Sequence, residues 1–270
     1  METRGRGPGG TATRWLAAVL ARPEARGLAE DSPPAVAVHV RILRTSPFLR
    51  RLYLAHYRRF AREFRGAPPG PVLELGSGAG FLREVMPDVV TTDVVAAPGV
   101  ARVMAAERLE VADGSLAGIL MLNVFHHLPD PAAFLREADR ALMPGGRLVM
   151  IEPAHTPLGF VLYRAFSPEP YDPRADWGFP AGGRLTSANV PQAWIVFVRD
   201  RDRFEREFPG WRVRSLRRHT AFLFVLAGGF RYCGVAPGWS FGLFAGLEWL
   251  LAPAMPLLAG QMTVTLEKAL

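Results

Sequence analysis

Four residues of one short stretch have the types and spacing to hold a small charged ligand: Glu74, Gly76, Gly78 and Gly80, within Pro71-Val-Leu-Glu-Leu-Gly-Ser-Gly-Ala-Gly-Phe81. Alternate glycines let backbone N–H groups approach a ligand closely, and a carboxylate beside them can face a cationic amine. Nineteen residues further on, Asp93 stands where an acid can accept both hydroxyls of a ribose. His126 and His127 end a long apolar run and offer a general base, since an imidazole with an ordinary pKa near 6.5 suits proton abstraction. Glu152, Tyr163, Glu169 and Asn189 are candidates to hydrogen-bond a polar acceptor. No second cluster has the spacing of metal ligands, and His155 stands alone. The single cysteine, Cys233, excludes an internal disulfide and a cysteine-built zinc site. No metal is expected.

These groups need a frame. The apolar run Val72 to Leu75 predicts a buried strand, and Phe81 to Met86 has helical spacing. Strand, glycine turn and helix in that order begin a doubly wound α/β domain. A dinucleotide fingerprint would place its third glycine at position 81, which is Phe81. Val89 to Val95 predicts a second strand, and Gly118 to Asp130 a buried fourth strand ending in polar groups. Pro131 to Leu142 follows as an amphipathic helix, then Met143 to Pro153 as a turn and fifth strand. Trp211 to Leu216 and Met262 to Lys268 alternate like sheet strands, a closing antiparallel pair.

Three blocks occur in order: Glu74-x-Gly-x-Gly-x-Gly80, Asn123-Val-Phe-His-His-Leu-x-Asp130 and Leu142-x-Pro-Gly-Gly-Arg147. Together they resemble the motifs of class I S-adenosylmethionine (SAM) methyltransferases, in the large type 11-like subgroup. The resemblance implies an α/β Rossmann-like fold with a seven-stranded sheet, and S-adenosyl-L-methionine as cofactor. It implies that Glu74, Gly76, Gly78 and Gly80 hold the methionine part, Asp93 the ribose, and Asn123 and His126 the reaction end, with Ser77 and Val94 also binding the cofactor. The implied reaction is methyl transfer to an oxygen of a small-molecule, lipid-linked or glycan-precursor acceptor. The superfamily also has an acid near the end of its third strand, against the adenine amino group. Here that position is Ala105, and neither Glu107 nor Asp113 is an evident replacement.

The remaining segments divide the chain. Residues 1–34 read as a disordered or loosely helical N-terminus, with Met1 to Thr13 rich in glycine and arginine and Asp31-Ser-Pro-Pro34 a linker. Residues 35–66 read as a helical lid of two helices broken at Ser46-Pro47. Residues 67–270 read as the SAM-binding domain. Within it, 153–193 is a long proline- and aromatic-rich insertion, of the length that forms binding loops. Residues 221–260 form an apolar insertion before the last strand. Phe241 to Gly260 has just the length to span a bilayer, yet Glu248, Pro253 and Pro256 interrupt it. A helical hairpin packed on the core or dipping into one leaflet fits better.

The net charge of +7 comes almost wholly from arginine, Lys268 being the only lysine. Charge alone does not imply nucleic-acid binding, and no zinc module or aromatic-basic repeat supports it. The expected setting is cytoplasmic, or peripheral at the inner face of a membrane. Two other classes stay open: a catalytically silent, membrane-associated methyltransferase-like partner, and an NAD-dependent oxidoreductase or epimerase.

Overall fold

The computed structural model describes residues 11–25, 33–179 and 188–270. In chain order these form α1 (Thr11–Leu20), α2 (Pro33–Thr45), α3 (Pro47–Glu63), β1 (Val72–Leu75), β2 (Val90–Asp93), β3 (Arg102–Val103), β4 (Leu116–Leu122), α4 (Pro131–Ala141) and β5 (Leu142–Pro153). There follow α5 (Pro157–Phe166), α6 (Gln192–Trp194) with its π-helical continuation Ile195–Arg199, α7 (Arg201–Glu207), β6 (Trp211–His219), α8 (Phe222–Ala227), α9 (Phe241–Leu250), α10 (Met255–Leu258) and β7 (Gln261–Lys268).

Among the described residues the strands make one seven-stranded sheet in the order β3-β2-β1-β4-β5-β7-β6. The first five are parallel, while β7 runs antiparallel to both β5 and β6. The order reverses between β1 and β4, and in open α/β sheets such a switch point opens a crevice at the carboxyl ends of the strands. Leu75, Asp93 and Leu122 end the strands that border it.

Parallel strands need cover on both faces and therefore read as near-continuous apolar runs. β4 obeys this: Leu116 to Met121 are all buried. On one face Phe125, Phe134, Leu135, Phe197 and Phe204 pack against β4, β5 and β7. On the other face the cover is α3, whose Tyr57 and Phe60 pack with Leu82, Val89, Leu120, Val149 and Ile151. Its buried residues Phe48, Leu49, Leu52, His56, Tyr57 and Phe60 recur at the three- and four-residue steps of a helical face.

This arrangement corrects the helix expected at Phe81 to Met86. The chain makes only a single 3₁₀ turn there, Leu82–Glu84. The glycine loop and Pro87 leave too few residues for a full helix. The apolar groups of the segment, Leu82 and Val89, are covered instead by α3.

The third strand is also shorter than expected. Only Arg102–Val103 pairs with β2, and Ala105 then bridges back to Arg108. At the N-terminus, residues 1–10 lie outside the described residues, while Thr11–Thr13 already belong to α1. In the expected linker, 31–32 lie outside them too, and Pro33-Pro34 open α2, where a missing N–H costs nothing. The stretch 180–187 of the long insertion is likewise outside.

The apolar insertion folds as α8, α9 and α10. No single helix among the described residues is long and apolar enough to cross a membrane. The helical runs Gly238–Leu250 and Ala252–Leu258 pass that test only as a pair, and they are bent by 68°.

Candidate functional site

β1 delivers Glu74 into the protein interior, 3% exposed, just before the chain turns at Gly76. Gly76 has φ +65°, a left-handed conformation that a side chain strains. A Cβ there would stand 2.4 Å from Val124 Cγ2. At Gly80 a Cβ would stand 2.7 Å from both the Ser77 carbonyl oxygen and the Tyr57 hydroxyl. The loop is closed by Gly80 N–H donating to Ser77 O at 2.7 Å and Ser77 N–H donating to Thr92 O at 2.9 Å. From β2, the Asp93 carboxylate receives Gly78 N–H at 2.8 Å and Val95 N–H at 3.1 Å. Asp93 is therefore fixed against the glycine loop, with lone pairs remaining on both oxygens.

Two polar atoms of this loop lack a hydrogen bond although buried: Glu74 Oε2 and Ser77 Oγ. Burial, with a further push from the Asp93 charge, raises the Glu74 pKa to about 8. Two carboxylates and an orphaned buried oxygen make a site that a cationic ligand would relieve. That is the fit expected for SAM, which carries a sulfonium and an amino group.

Asn123, just past β4, has φ +55°, and Asn is one of the few residues that tolerates this. Its N–H donates to Ile151 O at 2.9 Å, so the chain crosses towards β5. There Glu152 is wholly buried. Its Oε1 receives Val124 N–H and Phe125 N–H, each at 2.8 Å, and Oε2 lies 2.6 Å from His126 Nδ1. On the far side of the ring, His126 Nε2 is 3.7 Å from Glu169 Oε2, and His127 Nε2 is 3.6 Å from Glu169 Oε1. Burial pushes the His126 pKa down, but the Glu152 and Glu169 carboxylates outweigh it and raise it to about 10. For Glu169, burial pushes up, and the histidines overcome it to bring the pKa to about 2.

This chain corrects two expectations. At neutral pH His126 is an imidazolium between carboxylates, which is not the state of a general base. Glu152 does not face the cavity; it positions His126 from behind. A third expectation also changes, because His126, His127 and Glu169 bring ligand-type atoms within 4.8 Å of one another. Sequence spacing concealed that cluster, Glu169 being 42 residues beyond His127. Within it, the His126 imidazolium already lies between the Glu152 and Glu169 carboxylates.

One cavity of about 930 Å³ joins these parts. Glu74, Gly76, Ser77, Gly78, Gly80, Asp93, Val94, Asn123, His126, His127, Tyr163 and Glu169 all border it, and Glu152 and Asn189 do not. The Asn189 side chain is spent on the 172 loop, accepting Asp172 N–H at 2.9 Å and donating to Asp172 O at 3.0 Å. The Tyr163 hydroxyl donates to Gly260 O at 2.7 Å, tying α5 to β7. Near the third strand the cavity is bordered by Met104, Ala106 and Glu107, not by Ala105. Asp113 is instead paired with Arg140 at 2.5 Å.

Several residues that border or brace the cavity give no sequence signal. Tyr53 stacks on Phe81, and the Tyr57 hydroxyl receives Phe81 N–H at 3.1 Å, so α3 walls the glycine loop. Arg22 is 7% exposed and donates to Gly229 O, Tyr232 O and Ser46 Oγ at 2.9 to 3.3 Å. It clamps the end of α1 to a turn more than 200 residues away. Gln192 Nε2 donates to Phe125 O at 3.0 Å and Leu128 O at 2.8 Å, bracing the turn that carries both histidines. No motif marks contacts of such separation.

Comparison with known proteins bears on the same segment. Residues 73–150 match the family model described as "Methyltransferase domain". Ubiquinone biosynthesis O-methyltransferase of Xanthomonas oryzae pv. oryzae is 31% identical over 110 residues. The match covers 34% of this chain and 46% of that protein, so the chain spans about half the length of the relative. A SAM-dependent methyltransferase structure from Archaeoglobus fulgidus is similar at 17% identity, with a TM-score of 0.46, covering 81% of this chain and 94% of the other. A second, from Mesorhizobium loti, is similar at 15% identity and a TM-score of 0.43, covering 77% and 96%. The match over residues 73–150 identifies that segment, from β1 to β5, as a methyltransferase domain.

Proposed function

We propose that this protein transfers a methyl group from SAM to an oxygen of a small, largely apolar acceptor, in the looser sense that includes lipid-linked molecules. The observation that carries the reading is one continuous cavity of about 930 Å³. Its one end is the glycine loop with Glu74 and Asp93, and its other end the His126, His127 and Glu169 cluster. At about 930 Å³ it is near the top of the range of about 300–1,000 Å³ for ligand pockets. That is room for two molecules side by side. The named relative, an O-methyltransferase of ubiquinone biosynthesis, supports oxygen as the acceptor atom.

When bound, SAM supplies an electrophilic methyl group on a sulfonium. The protein's own part is mainly positioning, which in well-oriented reactions lowers a barrier by about 7–11 kcal/mol. Glu74 and the glycine loop hold the amino-acid end, and Asp93 the ribose hydroxyls. The His126 imidazolium, fixed by Glu152, stabilises negative charge on an acceptor oxygen, and His127 is the candidate to take its proton. Apolar walls such as Phe224 and Phe230 exclude water.

Calorimetric titration tests the reading directly. Micromolar affinity for SAM with none for NAD is expected, and the reverse would overturn it. Asp93→Ala should weaken SAM binding at least tenfold, about 1.4 kcal/mol. Unchanged affinity would remove Asp93 from the site.

Proton release gives a second test. A cation beside Glu74 favours its ionised form, so binding lowers a pKa that stands at about 8 in the free protein. The affinity must then rise with pH up to about 8 and level off. At pH 7, titrations in buffers of different ionisation enthalpy should reveal close to one proton released, about 0.9 from a pKa of 8. Glu74→Gln should abolish the release. Equal heats in every buffer for the unaltered protein would separate Glu74 from the cation.

A further inference from the structure

The helix α9 is apolar apart from Glu248, yet none of its residues is buried. A helix of that kind is normally the centre of a core or a membrane element. Its inner side is accounted for: Phe241 and Phe244 lie 5.2 and 6.3 Å from Phe48 of α3, ring to ring, and Glu248 accepts Leu223 N–H at 2.8 Å. Its outer side is a ridge of Leu243, Leu247 and Leu250, continued backwards by Trp239, at steps of three and four residues. Trp239 and Trp249 are 74% and 77% exposed. Apart from Val103 and Leu270, every large apolar side chain exposed among the described residues belongs to α1, α5 or the stretch 225–257. These elements touch: α1 packs on α5, α5 on α10, and α8 on α9. Monomeric soluble proteins rarely expose so extended an apolar surface, and a large one marks an interaction site.

Resting on the reading of the cavity given above, we propose that this helical cap docks on an anionic bilayer surface, with the bent pair 238–258 dipping into one leaflet, and that the acceptor enters the cavity from that bilayer.

Three observations favour a bilayer over a protein partner. The pair 238–258 is long and apolar enough to span only as two runs, and its 68° bend breaks it in the manner of a re-entrant segment. β7 resumes at Gln261, and its pairing with β5 keeps that return within the sheet. Tryptophans flank the leucine ridge, as they do at membrane interfaces. The charge pattern is complementary as well. Residues 221–260 carry only Arg231 and Glu248 as charged groups, while Arg44, Arg51 and Arg58 are exposed on α2 and α3, the helices that brace this cap. Such a basic rim suits anionic head groups, whereas a second copy with the same net charge of +7 would be repelled. Continuity with the site completes the case: Val225 and Val235 border the cavity and are 45% and 60% exposed, so its wall reaches the surface inside the apolar patch.

The experiment is co-sedimentation of the full chain with vesicles of phosphatidylglycerol and phosphatidylcholine, and with phosphatidylcholine alone, alongside calorimetry with SAM. The unaltered protein should pellet with the mixed vesicles and much less with the neutral ones. Replacing the exposed ridge, Leu243→Gln, Leu247→Gln, Trp249→Gln and Leu250→Gln together, should reduce pelleting more than tenfold. Arg51→Gln and Arg58→Gln should each weaken binding about fivefold at low salt. SAM affinity should stay the same in all variants, because these residues lie outside the cofactor end. No pelleting by the unaltered protein, or equal pelleting by the ridge variant, overturns the docking surface. So does a dimer that forms without lipid and is lost in the ridge variant, which would make a second copy the occupant. Loss of SAM binding in the unaltered protein would instead overturn the methyltransferase reading, whatever the vesicles show.

Discussion

Glu152→Ala is expected to destabilise the fold by about 3–5 kcal/mol, the cost of breaking a buried charge pair from one side. Three partners lose their acceptor at once: Val124 N–H, Phe125 N–H and the His126 ring. For a chain of this size the melting temperature should fall on the order of 10 °C. Glu152→Gln keeps an oxygen for the two backbone donors but removes the charge, so it should cost less and still alter His126.

The pH dependence separates these effects. His126 has a folded-state pKa raised to about 10, so its contribution is complete below the ordinary 6.5 and is lost as pH rises towards 10. Thermal melts should therefore show the Ala variant's deficit shrinking between pH 6.5 and 10. A deficit below 1 kcal/mol, or one that is equal at pH 6 and pH 10, would mean the pair is not charged.

The second large effect is at Gly76. Gly76→Ala places a Cβ 2.4 Å from Val124 Cγ2 and forces alanine into φ +65°. The conformational strain alone costs roughly 1–2 kcal/mol, and the clash must push the loop or the β4 end apart. Since that loop presents Gly78 N–H to Asp93 and walls the cofactor end, SAM affinity should drop about 100-fold, about 2.7 kcal/mol. The double variant Gly76→Ala with Val124→Ala removes the clash and leaves the strain, so calorimetry should recover part of the loss. No recovery would mean that strain, not contact with Val124, decides the site. An unchanged affinity in the single variant would mean that the loop geometry is not needed at all.

The glycine-loop end of this cavity is legible in the sequence because its residues are local. Glu74 and the glycines sit within seven residues, and Asp93 is one strand away. Periodicity likewise marked β1, β4 and the face of α3, since burial imposes a fixed step on each. What could not be read is what joins distant segments. Glu152 had the type of an acceptor-binding group, but only β5 pairing with β4 turns it inward beneath His126. The Phe81 to Met86 spacing looked helical because it is apolar on one side, yet α3 had already filled that layer. Glu169 meets the histidines through a loop with no repeating pattern, and Arg22 finds its carbonyls near residue 230. Such residues are fixed by tertiary closure and leave no trace in a window of ten.

The position of α3 has a consequence for how the molecule comes into being. A helix that stands ahead of the first strand supplies half the cover of the central strands. During synthesis it leaves the ribosome before any strand it will protect. The segment from β1 to β5 then emerges onto a waiting partner, and its apolar face is shielded as it forms. Cut just before β1, the same segment would present Leu82, Val89, Leu120, Val149 and Ile151 to water with nothing to meet them. The helices and the sheet thus share one layer of packing, and Tyr57 and Phe60 ahead of β1 belong to the same cluster as the central strands.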